Sequence, residues 1–142
     1  MWKLTIKREL VDGPWKATMP FHGSEIVFAH FRHELAELDR EEFRVVMLDG
    51  KGRPSGWNLV SIGSLTATVV HPREVFTAAI LMKAAQIILI HNHPSGDPEP
   101  SAEDRTITAR LRECGTLLGI QVIDHIIFGY DKYFSFADES IL

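Results

Sequence analysis

The chain has 142 residues, 45% hydrophobic and 24% charged, which suits one ordinary globular domain, and a single domain over residues 1–142 is the expected unit. Fifteen Lys and Arg against nineteen Asp and Glu leave a net charge of -4, which excludes nucleic-acid binding by bulk electrostatics, because phosphate neutralisation needs a basic surface. The lone Cys114 excludes an internal disulfide, charges interrupt the first ten residues, and no apolar run approaches the roughly 20 residues of a membrane span, so a cytoplasmic protein without membrane contact is expected.

"WKLTIKREL" alternates apolar and polar residues and reads as a strand suited to a sheet edge, followed by the turn-rich "VDGPWKATMPFHG". Ser24 is placed to cap a helix through "EIVFAHFRHELAEL", where Val27, Phe31, Leu35 and Leu38 recur at spacings of three and four. "FRVVMLD" reads as a buried strand and "GKGRPSG" as its turn. "WNLVSIG" and "LTATVV" are further β segments, so a meander is expected. "PREVFTAAILMKAA" has Pro72 at a first helical position and predicts a largely buried helix. "QIILIHNH" is a strand whose end carries histidines. Ser101 then opens a helix with the apolar stripe Ile107, Leu111, Cys114 and Leu118, stopped by Gly119, before "QVIDHIIFG" and "YFSF" close the chain as strands. Helices alternate with strands around a run of adjacent β segments, which predicts a mixed sheet flanked by helices, α/β or α+β.

The chemistry concentrates in "HNHPSGDPEPSAED", His91 to Asp104. Side chains alternate along a strand, so His91 and His93 point to one side and Asn92 away, and two imidazoles can meet one metal ion. The Pro- and Gly-rich segment folds the chain back, with Gly96 setting the turn, and brings Asp104 beside the strand end. Two imidazoles and one carboxylate leave a fourth tetrahedral position open, the pattern of a catalytic zinc. "SAED" is equally a capping box in which Ser101 caps the helix and Asp104 returns to the cap amide, so spacing alone leaves metal site and capped loop side by side.

The pattern His91-x-His93, seven residues, Ser101, two residues, Asp104 resembles the JAMM (JAB/MPN) metalloprotease signature. "SIGSLTATVVHPREVF", "AAQIILIHNHPSGDPEPSAED" and "GIQVIDHIIFG" resemble the carboxy-terminal domain of bacterial RadC proteins, over roughly residues 24–137 and most specifically over 61–128. The resemblance implies an MPN/JAB (cytidine-deaminase-like) fold and a zinc hydrolase that cuts a peptide or isopeptide substrate. It implies His91, His93 and Asp104 as ligands of Zn2+ and Ser101 as the donor to the oxyanion. It also implies an upstream glutamate as general base: Glu41, which matches an Arg-Glu-x-Phe pattern of RadC chains, with Glu42 as fallback and Glu74 third, the last better suited to the first turn of a helix. Full-length RadC chains carry an amino-terminal helix-hairpin-helix region, whereas the roughly forty residues before "REEF" hold no Gly-rich hairpin.

Asp124 and His125 are adjacent on a strand and face opposite sides; RadC-like chains carry the same pair, which implies one of them as an outer partner of the site, and a polar pair that closes the sheet is the equal alternative. His22, His30, His33 and His71 have no partners at ligand spacing, Cys114 reads as a small core residue, and Trp2, Trp15 and Trp57 as packing aromatics. Two classes of function follow. One is a zinc hydrolase. The other is a non-catalytic MPN-like module that binds a protein or nucleic-acid partner, associated with DNA repair or mobile-element proteins.

Overall fold

A computed structural model describes residues 1, 3, 19–63 and 70–142. The expected first strand, most of the turn-rich segment after it, and nearly all of "LTATVV" lie outside the described residues, as do Trp2 and Trp15.

The described chain runs α1 (Ser24–Ala36), β1 (Glu42–Leu48), β2 (Pro54–Ile62), α2 (Pro72–Leu81), β3 (Gln86–Asn92), α3 (Ala102–Leu118), β4 (Gln121–Phe128) and β5 (Tyr133–Ser135). Among the described residues the strands form one five-stranded sheet in the order β2-β1-β3-β4-β5. Only β3 and β4 are parallel, joined by the crossover helix α3, and the other neighbours are antiparallel. This is the mixed α/β architecture expected, and β1 with β2 forms the hairpin with which the expected meander would begin.

The apolar runs of β1 and β3 are unbroken because helices cover both faces of these strands. Phe43, Val45 and Met47 of β1 and Ile87 and Leu89 of β3 pack with α2 and α3. Val46, Leu48, Ile88 and Ile90 pack on the opposite face against Val27, Phe28, Phe31 and Leu35 of α1. Each fully buried aliphatic side chain contributes about 1.5–3 kcal/mol relative to exposure, so the central strands are the most firmly held. The site histidines sit at the end of one of them.

Three expectations about the helices change. Ser24 is the first residue of α1 and not its cap; Gly23 holds the cap position, and the Ser24 hydroxyl bonds Asp138 and Tyr133, more than a hundred residues away. α2 buries one face, Val75, Phe76 and Ala79, and leaves Ile80 exposed, so it is a surface helix. On α3 the buried stripe is Asp104, Ile107, Thr108, Leu111 and Gly115, with Cys114 partly buried beside it, while Leu118 faces solvent. A Cβ at Gly115 would stand 2.5 Å from the Ile120 carbonyl oxygen, so the helix end and the start of β4 approach too closely for a larger side chain.

In the β1–β2 turn, Asp49 Oδ1 accepts hydrogen bonds from the backbone N–H groups of Lys51 (2.8 Å) and Arg53 (3.0 Å), and Oδ2 faces the Arg53 guanidinium at 2.6 Å. The Arg53 hydrogen bond is the main reason the carboxyl is held down at about 2. A folded value below the unfolded one contributes stability above the unfolded value and loses it as pH falls. The melting temperatures of Asp49→Asn and the parent should therefore converge as pH drops from about 4 to 2, as thermal melts at stepped pH will show.

Candidate metal centre

Antiparallel pairing sets Phe43 of β1 opposite His91 of β3. His91 shares the face of Ile87 and Leu89, beneath α3, and is fully buried. Asn92 points to the other face, where its side chain accepts from the Glu42 N–H (2.8 Å) and donates to the Arg40 carbonyl (2.9 Å), tying the entry of β1 to the end of β3. His93 continues the strand direction by one step, its N–H donating to the Phe128 carbonyl at 2.9 Å.

The chain then turns back. Gly96 has φ +82°, a left-handed conformation, and its N–H donates to the His93 carbonyl at 2.9 Å. A Cβ there would lie 2.5 Å from the ring of Tyr130, whose hydroxyl donates to the Pro94 carbonyl at 2.6 Å. The β4–β5 turn thus clamps the loop between the histidines and α3. Gly96→Ala should lower stability by about 2 kcal/mol, combining left-handed strain with the clash, and in a Tyr130→Ala background only about 1 kcal/mol should remain. Chemical denaturation of the four proteins of this cycle measures both parts.

At the start of α3, Ser101 is the cap and the capping box is complete. Asp104 N–H donates to Ser101 Oγ (3.1 Å), while Asp104 Oδ2 accepts from the Ser101 N–H (2.7 Å) and hydroxyl (2.8 Å). Those bonds aim the buried carboxylate at the histidines. His91 Nε2 lies 3.0 Å from His93 Nε2 and 3.2 Å from Asp104 Oδ1, and His93 Nε2 lies 3.5 Å from Asp104 Oδ2. Four donors on an ion with bonds of about 2.0–2.1 Å stand about 3.3 Å apart at the corners of a tetrahedron, so these spacings suit a small ion. His91, His93 and Asp104 could hold a metal ion. Capped loop and metal-capable cluster are therefore the same structure and not alternatives. Because Oδ2 already takes two hydrogen bonds from Ser101, Oδ1 is the oxygen free to face an ion.

The ring nitrogens suit that use. His93 Nδ1 lies 2.7 Å from the Asp97 carbonyl oxygen, which can only accept, so Nδ1 carries a proton and Nε2 is the nitrogen that faces the cluster. Burial pushes the His91 pKa down against the opposing pull of Asp104. Burial also acts against protonation of His93, but hydrogen bonds to Asp104 and the Asp97 carbonyl outweigh it and raise that pKa. For Asp104 burial favours the neutral acid, and its contacts with both histidines together with the hydrogen bond from Ser101 override it, holding the carboxyl far below its ordinary range. Without a metal, one buried negative charge faces two imidazoles, so a cation there would be balanced.

A family model described as the RadC-like JAB domain matches residues 21–141. The chain belongs to this family. The curated relatives it matches carry the name UPF0758 protein. That of Geotalea uraniireducens is 53% identical over 116 residues, 82% of this chain and 51% of the relative. That of Syntrophotalea carbinolica is 50% identical over 137 residues, 96% of this chain and 60% of the relative, and that of Desulforamulus reducens 42% over 139 residues, 98% and 61%. The chain thus spans about half to three-fifths of the length of these relatives.

Within this RadC-like JAB domain the upstream glutamates separate. Glu41 precedes β1 on the face of Phe43, which is the face of His91, and its carboxylate is among the charges that raise the pKa of both His91 and His93. Glu42 turns to the other face and pairs with Arg44 at 2.6 Å. Glu74 is exposed in the first turn of α2, 3.4 Å from Arg73. Of the three, Glu41 is the one whose charge reaches both histidines, whereas Glu42 lies on the other face and Glu74 is turned to solvent.

Asp124 and His125 divide as a pair on one strand must, and a bulge decides which faces the site. β3 pairs Ile87 with Val122 but Ile88 with Asp124, so one extra residue of β4 shifts every later side chain to the opposite face. His125 is thereby placed beside Leu89, its Nε2 2.8 Å from His91 Nδ1. Asp124 accepts from its neighbour's N–H (2.7 Å), Ser135 Oγ (2.7 Å) and Ala137 N–H (3.0 Å), closing the sheet against β5. Burial raises the Asp124 pKa despite these hydrogen bonds. Thr108, which no motif singled out, bonds His125 Nδ1 and the Asp104 carbonyl, each at 2.6 Å. Its signal was available: it stands four residues after Asp104, on the same face of a helix. Among the described residues no helix is long and apolar enough to cross a membrane.

Proposed function

We propose that this domain is a zinc-dependent hydrolase of amide bonds, peptide or isopeptide, with His91, His93 and Asp104 as ligands, Glu41 as general base and Ser101 as donor to the oxyanion. The observation that carries the reading is the convergence of two imidazole nitrogens and a carboxylate at 3.0–3.5 Å, reached from solvent past the partly exposed His93. Zinc in such a site supplies Lewis acidity and lowers the pKa of water toward about 7. The chain's own residues supply the rest. Glu41 takes the proton of the attacking water and returns it to the leaving amine, which needs a carboxylate on the face of the histidines. Ser101 Oγ is anchored by the Asp104 N–H, so its proton can turn from Asp104 Oδ2 to a developing oxyanion while the Ser101 N–H keeps that oxygen in place.

The test is elemental mass spectrometry on protein purified without a metal-binding tag. The parent should hold close to one zinc per chain and His93→Ala almost none, and the loaded parent should cleave members of a peptide and isopeptide panel. Absence of metal from both, after zinc has been supplied, would sink the reading and favour a non-catalytic module that binds a protein or nucleic-acid partner.

A further inference from the structure

A buried chain of hydrogen bonds runs behind the cluster, away from the side a substrate would approach. His91 Nδ1 meets His125 Nε2 at 2.8 Å, His125 Nδ1 meets Thr108 Oγ1 at 2.6 Å, and Thr108 Oγ1 meets the Asp104 carbonyl oxygen at 2.6 Å. His91 and His125 are fully buried and Thr108 nearly so, so water does not substitute for any link. The last link sets the direction of all the others. A carbonyl oxygen only accepts, and two oxygens this close without a hydrogen between them repel, so the single Thr108 hydroxyl hydrogen is committed to Asp104. Thr108 Oγ1 must then accept from His125, which puts the His125 proton on Nδ1 and leaves Nε2 as an acceptor. His125 Nε2 in turn requires the proton of His91 on Nδ1. The His91 Nε2 lone pair is left facing the cluster, where it accepts from His93 Nε2 at 3.0 Å until an ion takes that place.

We infer that His125 and Thr108 are positioning residues that lock His91 in the Nδ1–H tautomer, with its Nε2 lone pair presented to the cluster before any ion arrives. The inference deepens the metal reading, on which the role of that lone pair rests, but the tautomers themselves are properties of the metal-free chain. The reverse assignment, with Nε2–H on both histidines, would block His91 as a ligand and leave Thr108 and the Asp104 carbonyl in repulsive contact. Both ends of the relay belong to ligand-bearing elements: Thr108 takes its cue from Asp104 one helical turn earlier on α3 and passes it through β4 to His91 on β3. Ring contacts hold the middle member in place, since His125 stacks on Phe136 at 5.0 Å between centroids and meets Phe43 edge-on at 5.5 Å. Those neighbours would also accept a phenyl ring, which makes a clean variant available.

Nitrogen-15 NMR of the imidazoles in metal-free protein decides the tautomers directly. The expected result is Nδ1–H for both His91 and His125 in the parent and loss of that uniform state in Thr108→Val, with recovery in Thr108→Ser. Zinc titration monitored by calorimetry should show affinity about 10- to 100-fold weaker in His125→Phe, the range for removing the partner of a ligating histidine, and close to parent in His125→Gln, whose amide oxygen can accept from His91. Nε2–H on His91 in the parent would overturn the inference, as would parental zinc affinity in both His125→Phe and Thr108→Val. If the parent takes up no zinc, the metal reading fails and the tautomer spectrum still decides the relay. If His125→Phe does not fold, Thr108→Val, which preserves shape, and Thr108→Ser carry the affinity comparison.

Discussion

Glu41→Gln should take up metal as the parent does and cleave amide substrates about a hundredfold to ten-thousandfold more slowly, the range lost with a general base. The substitution keeps the size of the side chain and removes its ability to hold a proton. Glu41 is not among the three residues that could hold an ion, so the metal content should not change. It is also partly exposed at the entry of β1, so stability should move by less than about 1 kcal/mol. Glu42→Gln is the informative control because it changes the adjacent residue and the opposite face. There the nearly buried Arg44 is held by Glu42 at 2.6 Å and Glu34 at 2.7 Å and lies over the Trp57 ring at 4.3 Å. Weakening that group should cost about 1–2 kcal/mol, because Glu34 and the indole remain, and leave turnover within a few-fold of the parent. Single-turnover cleavage and denaturant melts on both variants give the two columns of this comparison. A slow Glu42→Gln beside a fast Glu41→Gln would move the base to the other glutamate and require the strand entry to turn over.

The contrast between these neighbours shows how much the sequence could carry. Period-two alternation along "QIILIHNH" and the Ser-x-x-Asp spacing are local rules, and they placed His91, His93, Ser101 and Asp104 correctly in relation to one another. The choice among Glu41, Glu42 and Glu74 depends on the pairing of Phe43 with His91, a contact between strands that no spacing encodes. The role of His125 was hidden for a related reason. Strict alternation puts Val122 and Asp124 on one face, and the bulge between them reverses it. Ser24 looked like a cap because its neighbours in sequence fit one, while its partner Asp138 lies at the other end of the chain. Leu118 continued an apolar stripe that the close approach at Gly115 ends early. Local chemistry was readable from the residues; whatever depended on which strand lies beside which was not.

Asp104 joins the two halves of the problem, since one carboxylate closes the cap of α3 and faces both histidines. Asp104→Ala should therefore fail in two measurable ways. Removing the reciprocal partner of Ser101 should cost about 1–2 kcal/mol of stability, the range of a lost cap with a polar group left unpaired. Zinc affinity should fall by more than a hundredfold, because even a residue that only supports a ligand is worth ten- to a hundredfold. Asp104→Asn separates the two effects. Its amide oxygen can still accept from the Ser101 N–H and hydroxyl, so most of the cap survives, but the charge that balances a cation is gone. A ligand that binds only the folded chain raises its melting temperature by mass action, so zinc should stabilise the parent, and neither variant should respond at the same concentration. Thermal melts with and without zinc supply all six values. A full zinc response in Asp104→Asn would mean that the carboxylate serves the helix alone and the ion, if it binds, is held by the histidines and some other group. Loss of the response with the cap intact would tie the start of α3 to the making of the site, because the turn that begins the helix is also the turn that delivers the third ligand.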